Sequence, residues 1–232
     1  GNYSIGNKIS MNLNLETFNR KEVLQYLRWT GSEIPPEIDA LIDVCMAETL
    51  RVSEPRYTYR ILPIDRAART PALAFTGQDV PAMLTDCDRM VLLAATLGNG
   101  LELAIRRAQV RDMSHAVVLD CCGSAAIEAV CDAAEREIQA ATGAGIYLTD
   151  RFSPGYGDLP ILLQDDFVQL VDAPRRIGLT VTSTHILTPR KSVTAIIGLA
   201  GRPQQKRFRG CAYCSMFETC AFRKAGKTCG RE

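Results

Sequence analysis

Arg89 to Ala95 is almost wholly apolar and stops abruptly at Thr96-Leu97-Gly98-Asn99-Gly100. Strand side chains alternate between two faces, so a short unbroken apolar run reads as a buried strand that needs cover. Helical patterns that can provide it stand on both sides. Asn19 to Trp29 reads as a short amphipathic helix with Asn19 as N-cap. A second helix is expected from Pro35-Pro36 through Ile38, Leu41, Ile42, Cys45 and Met46 to about Leu50. Beyond the break, Leu101 to Val110 resumes as helix. Asp112 to about Thr142 is a long helix with apolar spacing at Val118, Ala125, Val130, Ala133 and Ile138. Further strands are expected over Arg56–Pro63, Ala72–Phe75, Leu179–Thr182, His185–Leu187 and Val193–Leu199. A brief helix is expected over Asp165–Asp172, after a loop-rich stretch from Gly143 to Gln164. The alternation lacks a regular βαβ rhythm. The expected class is α+β, a mostly antiparallel or mixed sheet flanked by helices.

A chain of 232 residues suits one ordinary domain plus an appendage. The composition shift at Gly201-Arg202-Pro203 sets the boundary, with a ligand-binding domain expected over 13–201 and a Cys-rich tail over 202–232. Cys211, Cys214, Cys220 and Cys229 in that tail follow C-x2-C-x5-C-x8-C. A Cys-x-x-Cys pair puts two sulfurs on one tight turn, and two more complete four-thiolate coordination. Tyr213, Met216, Phe217 and Phe222 can wrap such a site but not build a core, so the bound group would supply the folding energy. Structural zinc and a [4Fe–4S] cluster both satisfy the spacing. The pattern resembles auxiliary iron–sulfur sites of anaerobic redox enzymes and overlaps with zinc ribbons. The tail carries eight Lys/Arg against two Glu, net +6, while the whole chain is +1. The excess either compensates the thiolates or forms a docking face for an acidic protein. Nucleic acid is not expected, because no recognition motif accompanies the charge.

No apolar run reaches the ~18 residues of a membrane span, so no membrane partner is expected. The segment Gly1 to Asn7 is polar and unlike a secretory leader, and nine cysteines in that setting point to the cytoplasm. Cys45, Cys87, Cys121, Cys122 and Cys131 lack ligand spacing and are expected as small buried hydrophobes. Gly98-Asn99-Gly100 looks like half of a phosphate loop, yet no Lys-Ser/Thr follows, and a tight strand-to-helix turn is expected. His115 and His185 lack metal spacing, and no Ser-His-Asp set is evident. Gly123, in the middle of a helix, costs about 1 kcal/mol against alanine and suggests the close approach of a neighbour or ligand. Glu128, on the face of Ser124, either binds a ligand ammonium or ribose or is a solvated carboxylate.

The loop Arg151-Phe152-Ser153-Pro154-Gly155-Tyr156-Gly157-Asp158-Leu159-Pro160 carries the sharpest chemistry. An arginine fork clamps a carboxylate, glycine lets a ligand near the backbone, and tyrosine offers an aromatic face with a hydroxyl. A rigid surface loop with a paired Arg and a packed Tyr is the bland alternative. Arg-x-x-x-Gly-Tyr with a later Pro160 resembles the S-adenosylmethionine motif in the activation domain of cobalamin-dependent methionine synthase, R-x-x-x-G-Y-P-A-x-P. Here Gly157 and Asp158 replace Pro-Ala, so a less rigid loop is expected. Ala95–Gly98, Gly123–Ala129 and Leu187–Gly198 are similar to stand-alone versions of that domain, in the same order between Asn19 and Gly201.

The resemblance implies that Arg151 binds the carboxylate of S-adenosylmethionine and that the backbone near Gly155 approaches the ligand. It also implies that Tyr156 serves catalysis beside the corrinoid, and that Thr184, His185 and Ile186 offer backbone hydrogen bonds. The implied activity is reductive methylation of cob(II)alamin, reactivating a methionine synthase or another corrinoid protein that carries the cobalamin. An acidic electron donor is a further implied partner. With this chemistry beside them, the tail cysteines lean toward an iron–sulfur cluster as an electron inlet. A zinc-stabilised adaptor with a degenerate ligand loop is the competing expectation.

Overall fold

The computed structural model describes residues 18–64 and 77–204, together with the backbone of 5–8. Cys211, Cys214, Cys220 and Cys229, and the strand expected over Ala72–Phe75, lie outside the described residues. The tail assigned to 202–232 is described only as far as residue 204.

The architecture is α+β. Five strands, β1 (Ile5–Lys8), β2 (Arg56–Pro63), β3 (Cys87–Thr96), β4 (Tyr147–Leu148) and β7 (Ser192–Ala200), pair in the order β1-β2-β3-β7-β4. Every pairing is antiparallel. The apolar run lies in β3, where Leu93 faces Tyr59 of β2 on one side and Ala195 of β7 on the other. Its side chains divide between two cores. Val91, Leu93 and Ala95 enter one, while Met90, Leu92 and Ala94 enter the other. None of the six exposes any surface, which is why alternation is missing from the sequence.

Helices α1 (Arg20–Tyr26), α2 (Pro36–Val52), α4 (Asn99–Arg111) and α5 (Met113–Thr142) cover the first face. Their boundaries are local. Asn19 Oδ1 accepts from Glu22 N at 3.0 Å, and Pro36 occupies the first turn of α2. Asp112 closes α4 by donating its N–H to Ala108 O at 2.7 Å, and its side chain caps α5 by accepting from Ser114 N at 2.9 Å. Gly98 turns strand into helix at φ +76°, and a Cβ on Gly100 would lie 2.1 Å from the Val52 carbonyl. The Gly98–Gly100 segment is thus a packing turn.

The second face carries shorter elements: α3 (Asp79–Met83), a 3-10 turn (Ile161–Leu163), α6 (Gln164–Leu170), α7 (Ala173–Ile177) and the hairpin β5 (Thr180–Val181)–β6 (Leu187–Thr188). Phe152, Leu159, Phe167, Val168 and Leu179 fill this core. Here the expectations need correcting. The helix expected over 165–172 ends early, because Asp172 adopts φ +55° and starts α7 as a separate turn. His185, expected in a strand, has φ +62° and sits in the turn before β6. Part of the stretch expected as loop instead runs along the edge of β7, with Thr149 N donating to Gly198 O at 3.0 Å and Phe152 bridging Ile196.

Cys45, Cys87, Cys122 and Cys131 are buried and Cys121 is half-buried. Among the described residues, no group of three His, Cys, Asp or Glu side chains is arranged to hold a metal ion, and no helix is long and apolar enough to cross a membrane.

Candidate functional site

The edge pairing that carries 149–152 along β7 aims two consecutive side chains in opposite directions. Phe152 enters the second core, while Arg151 reaches α5. There its guanidinium meets Glu128 Oε2 at 2.7 Å, Asp132 Oδ1 at 2.8 Å and Glu135 Oε1 at 3.2 Å. These acids recur at i, i+4 and i+7, so they form one stripe on the helix. Burial works against the charged guanidinium, but Cys131, Glu135, Glu128 and the hydrogen bond to Asp132 outweigh it, and the Arg151 pKa is pushed up. One guanidinium among three carboxylates leaves the cluster with a formal charge of −2.

The loop after Arg151 turns back on itself. Gly155 N donates to Leu159 O at 2.8 Å, and Tyr156 N donates to Ser153 O at 3.0 Å. Gly155 adopts φ +87°, and a Cβ there would lie 2.9 Å from Ile161 Cδ1. Tyr156 stands edge-on to Phe152, with ring centroids 6.1 Å apart, and keeps 41% of its surface exposed.

The Gly157-Asp158 departure has a structural purpose. Asp158 Oδ2 accepts from Gln78 N at 2.5 Å and from Asp79 N at 3.3 Å, while Asp158 N donates to Asp79 Oδ2 at 3.2 Å. A Cβ on Gly157 would lie 2.4 Å from that same Asp79 oxygen. Reciprocal side-chain bonds to the start of α3 therefore tether the loop where proline would otherwise stiffen it.

Glu128 also borders a cleft of about 210 Å³, lined by Tyr26, Ser124, Ile127, Glu128, Arg190, Lys191 and Ser192. Gly123 lets Leu101 and Lys191 pack closely against α5 beside it, since a Cβ there would lie 2.8 Å from Leu101 Cδ2 and 3.1 Å from Lys191 Cε. Lys191 Nζ reaches Ser124 Oγ at 2.9 Å and Asp120 Oδ1 at 2.9 Å. Arg190 holds Glu102 Oε2 through its backbone N–H at 3.1 Å, and its side chain is exposed at the rim. One wall is thus acidic and backed by the Arg151 cluster; the other carries the exposed Arg190 and the Asp120-paired Lys191.

The structure joins Arg151 to Glu128 and hangs the Gly155-Tyr156 loop from the same segment. Thr184, His185 and Ile186 lie in the β5–β6 turn, with other partners. Thr184 Oγ1 meets Thr182 Oγ1 at 3.0 Å, Ile186 N donates to Thr182 Oγ1 at 3.1 Å, and the His185 ring pairs with Asp165. Sequence reasoning missed Asp132, Glu135, Tyr26, Arg190 and Lys191. The acidic stripe at helical spacing was a readable signal; the approach of Arg190 and Lys191 to α5 was not.

No known family profile matches the sequence, and no curated protein matches it. Among solved structures the chain is similar to the crystal structure of the MetH reactivation domain bound to AdoHcy. The TM-score is 0.59 at 11% identity, covering 97% of this chain and 87% of the other. At that identity the likeness is one of fold: this chain has the α+β architecture of that domain.

Proposed function

We propose that this chain binds an S-adenosyl ligand where the Arg151–Pro160 loop meets the α5 cleft, and presents its methyl group to a corrinoid on a partner protein. The partner class is a cobalamin-dependent methionine synthase or another corrinoid methyltransferase. The observation that carries this reading is the likeness in fold to a domain solved with AdoHcy, taken together with an Arg-x-x-x-Gly-Tyr loop beside a charged cleft. In this reading Glu128 offers its carboxylate to the ligand ammonium or ribose, and Arg151 either takes the ligand carboxylate or holds the loop to α5. The Gly155 backbone lies against the ligand, and the half-exposed Tyr156 faces the docked corrinoid. The chain contributes orientation; the corrinoid is the nucleophile.

Cys211, Cys214, Cys220 and Cys229 are proposed to hold an iron–sulfur cluster, with zinc as the alternative. A cluster would supply the single electron that reductive methylation consumes, received from an acidic donor protein. Calorimetry with S-adenosylmethionine on anaerobically purified, metal-loaded protein tests the reading. Saturable one-site binding is expected, and a flat titration overturns it. On the same material, brown colour with about four irons per chain supports the cluster. Colourless protein with one zinc removes it.

A zinc-stabilised adaptor is the second reading. It is favoured by the commitment of Arg151 to three carboxylates and of Asp158 to the backbone of Gln78 and Asp79. The flat titration is its expected outcome.

A further inference from the structure

We infer that the carboxylate of the ligand is taken by Arg190, with Lys191 behind it, rather than by Arg151. The inference rests on the S-adenosyl reading above and assigns the poles of the cleft. The Arg151 guanidinium has Glu128, Asp132 and Glu135 within 3.2 Å, and its cluster is formally −2. A fourth carboxylate there would have to displace one of these acids and would meet the charge of the other two. Such a cluster suits a cation, and Glu128 is the member that also lines the cleft.

The opposite wall has the complementary character. Arg190 is exposed at the rim with its backbone N–H on Glu102, and among the described residues its guanidinium fork has no ion-pair partner and stands open to a ligand. Lys191 is held in place by Asp120 and Ser124, each at 2.9 Å, and its side chain keeps 17% exposure. Its charge is matched by Asp120, so Lys191 anchors to α5 the segment that carries Arg190, and Arg190 is the uncompensated cation of this wall. Tyr26 and Ile127 supply aromatic and aliphatic lining between the walls. An α-amino acid group fits this arrangement, with its ammonium toward Glu128 and its carboxylate toward Arg190. Arg151 then acts as a positioning residue, orienting Glu128 and tying the Gly155-Tyr156 loop to α5.

The test compares two probes on the full chain by calorimetry: S-adenosylhomocysteine, which carries the amino acid group, and 5′-methylthioadenosine, which lacks it. For Arg190→Gln, S-adenosylhomocysteine binding is expected to weaken about tenfold while 5′-methylthioadenosine binding stays within twofold of wild type, since one charge-assisted hydrogen-bond pair is lost. For Arg151→Gln, both probes are expected to weaken together, because the loop and Glu128 lose their anchor. A selective loss of S-adenosylhomocysteine in Arg151→Gln, with none in Arg190→Gln, overturns the inference and leaves the proposed function standing. Wild-type protein that binds neither probe overturns both.

Discussion

The two faces of the sheet are held by different means. On the helical face, α1, α2, α4 and α5 are long or locally capped, and their partners follow from spacing within each element. On the other face, elements of two to seven residues are fastened by bonds between distant positions. Asp158 binds Gln78 and Asp79, Thr194 Oγ1 donates to Gln164 Oε1 at 2.5 Å, and Arg60 Nη1 donates to Leu170 O at 3.2 Å. A helix of thirty residues such as α5 carries its own register. A five-residue helix is too short to be stable alone and exists because the sheet beneath it is already formed. The site lies at the edge of β7, where one segment sends Arg151 to the first face and Phe152 to the second.

If β3 unites both faces into one cooperative unit, deleting a core side chain on either should shift one shared transition. Phe167→Ala on the loop face and Leu119→Ala on the helical face each remove a fully buried side chain and should cost about 3–5 kcal/mol. Urea melts followed by both fluorescence and circular dichroism should stay coincident. A biphasic melt in either variant would show the faces to be separable.

The faces should part company in alkali. Burial pushes the Cys45 thiol up to about 12 and the Cys121 thiol up to about 11, and it raises Cys122 and Cys131 as well; all four belong to the helical face. Raised folded values mean that the stabilisation is complete below the ordinary thiol value of 9.0 and drains away as pH climbs toward the folded values. Between 9.0 and its folded value each fully buried thiol should cost about 1.4 kcal/mol per pH unit. Amide exchange monitored between pH 9 and 11 should therefore loosen α2 and α5 before α6 and α7, after correction for the intrinsic pH dependence. The opposite order would break the contrast.

Caps make the smallest test. Asp158→Ala should cost about 1–2 kcal/mol, since it strips a distant acceptor from Gln78 and Asp79. Asn19→Ala, which removes a local acceptor from Glu22, should cost about 0.5–1 kcal/mol. Thermal melts of the two variants rank them. Equal costs would mean that long-range and local caps are interchangeable in this fold.

Much of the helical face was legible in the sequence. Asn19, Pro36, Gly98 and Asp112 mark boundaries through chemistry acting within a few residues. Arg56–Pro63 coincides with β2. The loop face resisted reading because its turns depend on residues far away. Asp172 and His185 adopt positive φ that no neighbouring glycine announces. The site divides in the same way. Glu128, Asp132 and Glu135 stand on one stripe by helical spacing alone, and the Arg151-x-x-x-Gly155-Tyr156 pattern is visible in one dimension.

The sequence by itself determined a central buried strand, four helices to cover it and a loop bearing an arginine and a tyrosine, because burial pattern and capping are short-range. Only the tertiary structure decided which charges meet. Pairing of 149–152 with β7 delivered Arg151 to three carboxylates, and the missing side chain of Gly123 admitted Lys191 to α5. Coulomb interactions depend on distance in space, and that distance was set by strand register and close packing.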